Sequence, residues 1–349
     1  MTRAEFCVRV AIFIALALVP LLFWLLFDVV LVLTGAVLVA VLLHIVARPL
    51  RKLRLPTGLA LAFAGILLLG VLAGVFYLFG SGLEDELQEI LRRAEAGQDQ
   101  LTTWLQGSSL GRAALAHVEE GNFSLANLLG QAFKISASLV AGVAVAIVAG
   151  GFFAAEPTLY REGLSLLFPT SLRPAANETL DYLAGALRLW LLGQLLEMAL
   201  VGGMVGFAVW LLDLPSPLAL GAIAAVAQFV PYVGPIVAMI PSVLVATTVS
   251  WTALLWTVVA YVLIHQLDGY VVMPIIQRRL VSVPPALMLL SIVAFSELFG
   301  AIATVFAAPM TVLVYVLVTK LWVRDTLHEE IAVPGEANAQ EDATAHATP

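Results

Sequence analysis

Four stretches of this 349-residue chain, Val10 to Phe27, Val29 to Ala47, Leu59 to Gly80 and Ile135 to Ala155, contain no Asp, Glu, Lys or Arg. A hydrocarbon core about 30 Å thick needs roughly 20 apolar residues for one helical crossing, and these runs supply them. A membrane β-barrel would instead show segments of about 10 residues alternating apolar and polar, and these runs are continuous. The charged fraction agrees, at 12% against about 25% for a soluble domain. The fold class that follows is all-α: a polytopic α-helical membrane protein with about eight membrane segments, two of them re-entrant helical hairpins, plus an amphipathic helical excursion. Arg3 and Arg9 precede the first run like the start of a signal peptide. No small-residue cleavage site follows and a second run begins at once, so the first run is expected to be a retained span.

Charge sets the expected orientation. Arg48, Arg51, Lys52 and Arg54 form a basic cluster without an acid between the second and third runs. Such clusters face the cytoplasm. Residues 1–80 then hold three spans with the N-terminus inside, and the segment 81–134 lies outside. That segment carries eight acids and four bases, with Leu83, Leu87, Ile90, Leu91 and Ala94 at helical spacing, the pattern of an amphipathic excursion. The core is expected over 135–324. Within it, 157–189 is amphipathic and cytoplasmic, broken at Pro169 and Pro174. The next span is bracketed by Trp190 and Trp210, about 30 Å apart along a helix, which suits an aromatic anchor at each interface. Residues 325–349 carry six acids and no Lys or Arg, a composition expected for a disordered cytoplasmic tail.

Arg278, Arg279, Lys320 and Arg324 should also be cytoplasmic. Parity then requires 217–250 and 285–319 each to return to the face it came from. Each has a break near its middle: Pro231-Tyr232-Val233-Gly234-Pro235, with Pro241 beyond it, in the first; Phe299-Gly300, with Pro309 beyond it, in the second. Re-entrant hairpins are the expectation, because the arms are short for a full span and broken backbone at membrane depth is tolerated in protein or beside a wet cavity. Tilted, complete helix pairs satisfy the same parity.

No metal-ligand spacing, P-loop, GxSxG or HExxH occurs, so neither an enzyme nor a cofactor is expected. The single cysteine, Cys7, excludes an intramolecular disulfide and a cysteine-based metal site. What stands out is polar groups at membrane depth, which usually face a bundle interior or a cavity. The transport or ion-coupling candidates are Gln194, Glu197, Gln228, Asp268 and Glu297. Gln194 and Glu197 share a helix face at i, i+3. Glu197 suits a cation or a proton, or it is a protonated group hydrogen-bonded to a neighbouring helix. Glu297 stands beside the second break, where an acid is a common way to build an ion site. His265, Gln266 and Asp268 lie near a boundary, either as a polar helix end or as part of a pathway. His44 is read as interfacial beside Arg48, and Gly202 with Gly206 as close helix packing.

The runs GQLLEMALVGGMVGFAVWLLDLPSPLALGAIAAVAQFVPYVGPIVAMIPSVLVA and HQLDGYVVMPIIQRRLVSVPPALMLLSIVAFSELFGAIATVFAAPMTVLVYVL resemble the autoinducer-2 exporter family of permeases, also called PerM-like. The likeness covers roughly residues 150–322, including GGFFAAE and LLFP. It rests on Pro231, Tyr232, Gly234, Pro235, Pro241, Pro274, Gly300 and Pro309. Ala238 and Ala303 stand where glycine is common. The resemblance implies a multi-pass transporter of the bacterial inner membrane, exporting a signalling molecule or exchanging sodium or lithium for protons. The partners expected are a small polar solute or an ion, membrane lipid and a second copy of the chain, with no nucleic acid. A membrane scaffold acting through the amphipathic segments is the alternative of a different class.

Overall fold

The structure, a computed structural model, describes residues 24–81, 142–277 and 283–336, with seven helical positions between 92 and 106. The run before Trp24, most of the 81–134 excursion, Arg278 and Arg279, and residues 337–349 of the tail lie outside the described residues. All regular structure among those described is helical. Helix α1 (Phe27–Lys52) and α2 (Thr57–Ser81) form an antiparallel pair joined at the basic cluster. Helix α3 (Gly142–Ala155) bends by 89° at Glu156 into α4 (Pro157–Ser165). Pro157 sits in the first turn of α4, where its missing N–H costs nothing.

The longest element is α5 (Arg173–Leu211), 39 residues that join the amphipathic stretch to the Trp190–Trp210 span as one rod. The break expected at Pro174 is absent. Pro174 falls in the first turn of α5 and therefore starts the helix instead of interrupting it. The first fold-back segment consists of α6 (Pro217–Ala227) and α7 (Val233–Val249). At 1.5 Å per residue α6 is about 16 Å long, too short to cross a bilayer.

Helix α8 (Trp251–Leu267) does not end at Asp268. A π turn over Asp268–Val272 carries it into α9 (Met273–Gln277). Pro274 explains the wide turn, since its ring crowds the preceding carbonyl and it has no N–H to close an α turn. Of the two readings of Asp268, a polar helix end or part of a pathway, the first does not hold, because the helix continues and Asp268 is buried.

Helix α10 (Pro285–Leu317) contains Gly300 at φ 80°, ψ −172°, a backbone conformation open to glycine. It is no straight rod. The Thr311 hydroxyl donates to the Ser291 hydroxyl at 2.6 Å, whereas twenty residues of straight helix would separate them by about 30 Å. The segment therefore folds back at Gly300. Its two arms pack together through Met288 and Ile292 on one side and Ala307, Ala308, Val312 and Val316 on the other. A second π turn, Val318–Arg324, follows.

Two buried clusters organise the molecule. One joins α1, α5 and both arms of α10 around Leu187, Trp190 and Val312. The other joins α5, α6, α7 and α8 around Val205, Leu220, Val245 and Tyr261. Large apolar side chains point outward on nearly every helix, Phe207, Leu255, Leu263 and Leu290 among them. In water that exposure would be a liability, and in lipid it is the solvent-facing surface. The tail reading also changes over 325–336: Val333 is buried in the α5–α10 cluster, so this part is docked.

Candidate functional site

The site is built where the break between α6 and α7 meets the middle of α5. The two elements can approach because glycines line their seam. A Cβ on Gly202 would lie 2.9 Å from the Gly221 carbonyl oxygen, and one on Gly206 would lie 3.3 Å from the Pro217 carbonyl oxygen. This is the packing role expected for Gly202 and Gly206. Farther along, the chain leaves the helix from Gln228 to Tyr232. Tyr232 adopts φ 65°. The return into α7 then brings Gly234 against the Ala227 carbonyl, where a Cβ would collide with backbone.

Leaving the helix at Gln228 strips its carbonyl of an intrahelical partner. The side chain of Gln194 supplies one, its Nε2 donating to the Gln228 carbonyl oxygen at 2.8 Å. The Gln228 side chain reaches back across the same gap, its Nε2 donating to Glu197 Oε1 at 2.7 Å. All three side chains are buried, with Glu197 only 7% exposed. A carboxyl taken this far from water is costly unless it is paired, hydrogen-bonded or protonated. Here the protein offers it a single neutral amide. Asp268 on the π turn is likewise buried. The Oδ1 of Asp268, Oε1 of Gln228 and Nε2 of His265 are buried atoms without a hydrogen-bond partner. Two of the three are oxygens that accept hydrogen bonds, and a buried carboxyl held by one amide, as at Glu197, suits a proton or a cation.

Three of the five candidate residues are joined by hydrogen bonds, Gln194, Glu197 and Gln228, and Asp268 is buried on the π turn. Glu297 does not join them. It is exposed on the second fold-back segment, whose turn is surrounded by aromatic rings. Phe299 stacks on Phe27 with centroids 3.4 Å apart and lies 5.2 Å from Trp24. Of the proline and glycine positions, Pro231, Tyr232, Gly234 and Pro235 lie at the first break and Gly300 at the second, while Pro241 and Pro309 lie inside continuous helix. His44 turns its Nδ1 to the Ala40 carbonyl of its own helix.

One buried polar group escapes the sequence reading. The Tyr261 hydroxyl is shared with Ser242 Oγ at 2.8 Å and donates to the Ala238 carbonyl at 3.1 Å, tying α8 to α7. The available signal is spacing: Tyr261 precedes His265 by four residues in a mostly apolar helix.

The model of a family described as AI-2E family transporter matches residues 12–322. "Putative transport protein YrrI" of Bacillus subtilis is 30% identical over 46% of this chain and 45% of its own length, so that match spans less than half of the relative. "Putative transport protein YueF" of the same organism is 24% identical over 86% of this chain and 88% of its own. A Thermotoga maritima "Putative transport protein" is 28% identical over 60% of this chain and 63% of its own.

Proposed function

Because the chain belongs to the AI-2E transporter family, we propose that this multi-pass membrane protein is a secondary transporter moving a small polar solute or signalling molecule across the bacterial inner membrane. Glu197 is its coupling group, and a proton or sodium ion is what it carries. The observation behind this reading is the Glu197 carboxyl, buried against a broken helix and held by one amide at 2.7 Å. A carboxyl so placed takes up a proton or cation readily, and doing so alters its bond to Gln228. Gln228 belongs to the break itself, so binding at Glu197 bears directly on where α6 and α7 sit against α5. This is the link between a coupling ion and a moving element that alternating access requires. Exchange of a cation for a proton at the same carboxyl is the variant in which the solute is itself the ion.

The test is flux into proteoliposomes under an imposed proton or sodium gradient. Gradient-driven flux should fall by about tenfold or more in Glu197→Gln while the protein still folds. Unchanged flux would remove Glu197 from the mechanism. The scaffold reading draws support from the exposed Leu159, Leu166, Leu167 and Phe168 around α4. Deletion of 81–134 separates the two readings, since a scaffold loses its partners and a transporter core retains flux.

A further inference from the structure

The segment after the second π turn folds back on α5. Its contacts are of three independent kinds. First, Val333 is 3% exposed and shares a cluster with Leu187, Trp190 and Ala308. Second, the backbones touch: a Cβ on Gly185 would lie 2.8 Å from the Gly335 carbonyl oxygen, and one on Gly335 would lie 2.6 Å from the Tyr182 carbonyl oxygen. Gly335 also adopts φ 92°. Both positions therefore demand glycine, one for space and one for space and conformation. Third, charges close the turn. Lys320, buried, bridges Glu178 at 3.1 Å and Asp325 at 3.0 Å, and Arg324 pairs with Glu336 at 3.0 Å. Lys320 and Arg324 both approach the Tyr182 ring, at 5.5 and 6.0 Å.

These contacts connect two elements that must move if the molecule opens. Glu178, Tyr182 and Gly185 lie on the same rod as Glu197, and Lys320 and Arg324 extend the C-terminal arm of the second fold-back segment. The segment 325–336 crosses from one to the other. We infer that residues 325–336 form a latch that holds α5 against the second fold-back segment on the Lys320 face, and that its release is required for that face to open. On the charge reading this is the cytoplasmic face, so the latch sets how often the site is open to the cytoplasm.

The test reads opening and not flux, so it stands or falls separately from the role of Glu197. In a Cys7→Ser background, Ala308→Cys reports separation of α5 from the second fold-back segment, because Ala308 is 1% exposed within their shared cluster. Ala246→Cys, buried in the other cluster, reports general loosening. Labelling of purified protein by a hydrophilic maleimide is followed in the full chain, in a chain ending at His328 and in Val333→Asp. The expected result is labelling at 308 accelerated about tenfold or more in both variants, as removal of a buried docking residue shifts a local opening, with the rate at 246 unchanged. Rates at 308 within about twofold of the full chain would overturn the latch. Equal acceleration at 308 and 246 would also overturn it, since the segment would then be part of general stability.

Discussion

In the first fold-back segment the chain leaves the helix for five residues, Gln228 to Tyr232, and those residues face the Gln194 side of α5. In the second it turns at a single residue, Gly300, among the rings of Phe27, Phe295 and Phe299. The difference lies in what the neighbouring helix offers. Opposite the first break, α5 presents small residues for close approach and then two polar side chains at i, i+3, so freed backbone polar groups find partners inside protein. Opposite the second, α1 presents Phe27 and Leu31, and the turn is packed by apolar contact. An acid beside a broken helix is therefore insufficient to make an ion site. The break has to be wide enough to free polar groups, and a second helix has to answer them.

The largest expected effect tests this contrast directly. Glu197→Gln should lower gradient-driven flux by about tenfold to a hundredfold, the equivalent of losing a hydrogen bond to a charged group worth ~1.5–3 kcal/mol. Glu297→Gln should leave flux within about twofold, since exposed surface substitutions away from such features change little. The measurement is the same proteoliposome assay for both. Equal losses would place the second break in the coupling site and break the comparison.

The next effect is on folding, and it separates two uses of glycine. At Gly202 the constraint is space, because the Gly221 carbonyl and Ala225 stand where a side chain would go. Gly202→Leu should cost at least about 1–3 kcal/mol of overpacking and displace Gln228 from Glu197, so flux is lost with stability. At Gly300 no atom stands within 4 Å of an added Cβ. The cost of Gly300→Ala is conformational, about 1–3 kcal/mol. It should appear in detergent-micelle unfolding with much of the flux retained. If Gly300→Ala abolishes flux at full stability, the second turn moves during transport.

How much of this was visible in the chain divides along the same line. The uninterrupted apolar runs dictate membrane helices, because hydrocarbon leaves the backbone few alternatives. The breaks at Pro231 to Pro235 and at Gly300 are local chemistry and can be read from proline and glycine. Gln194 and Glu197 are legible as a pair from spacing. Their meeting with Gln228, thirty-one residues beyond Glu197, depends on the Gly202 and Gly221 seam, a tertiary fact that no local pattern contains. Asp268 illustrates the opposite case: its boundary position left a polar helix end and a pathway role both open, and it lies buried on the π turn before Pro274. The tail misleads for a related reason. Its net charge describes 325–349 as a whole, while the apolar and backbone contacts that dock it come from Val333 and Gly335, which carry no charge, and two of its acids are paired with Lys320 and Arg324.

The smallest effect addresses the fold-back itself. Ser291 and Thr311 meet at 2.6 Å, and the single Thr311 hydroxyl proton is shared between Ser291 Oγ and the Ala307 carbonyl. Removing the inter-arm bond in Ser291→Ala leaves Thr311 its bond within the helix, so no buried donor is stranded. The loss should be small, ~0.5–1.5 kcal/mol, read as a modest shift of the unfolding midpoint in micelles. Thr311→Val removes both bonds and should cost somewhat more, up to about 2 kcal/mol with the shape conserved. The double variant is the informative one. If the arms are zipped there, the two changes are non-additive, because each removes the same inter-arm bond. Strict additivity would mean that the hydroxyls do not meet. The second segment would then be a long helix with a kink, and the contrast between two fold-back segments would become one between a fold-back segment and a span.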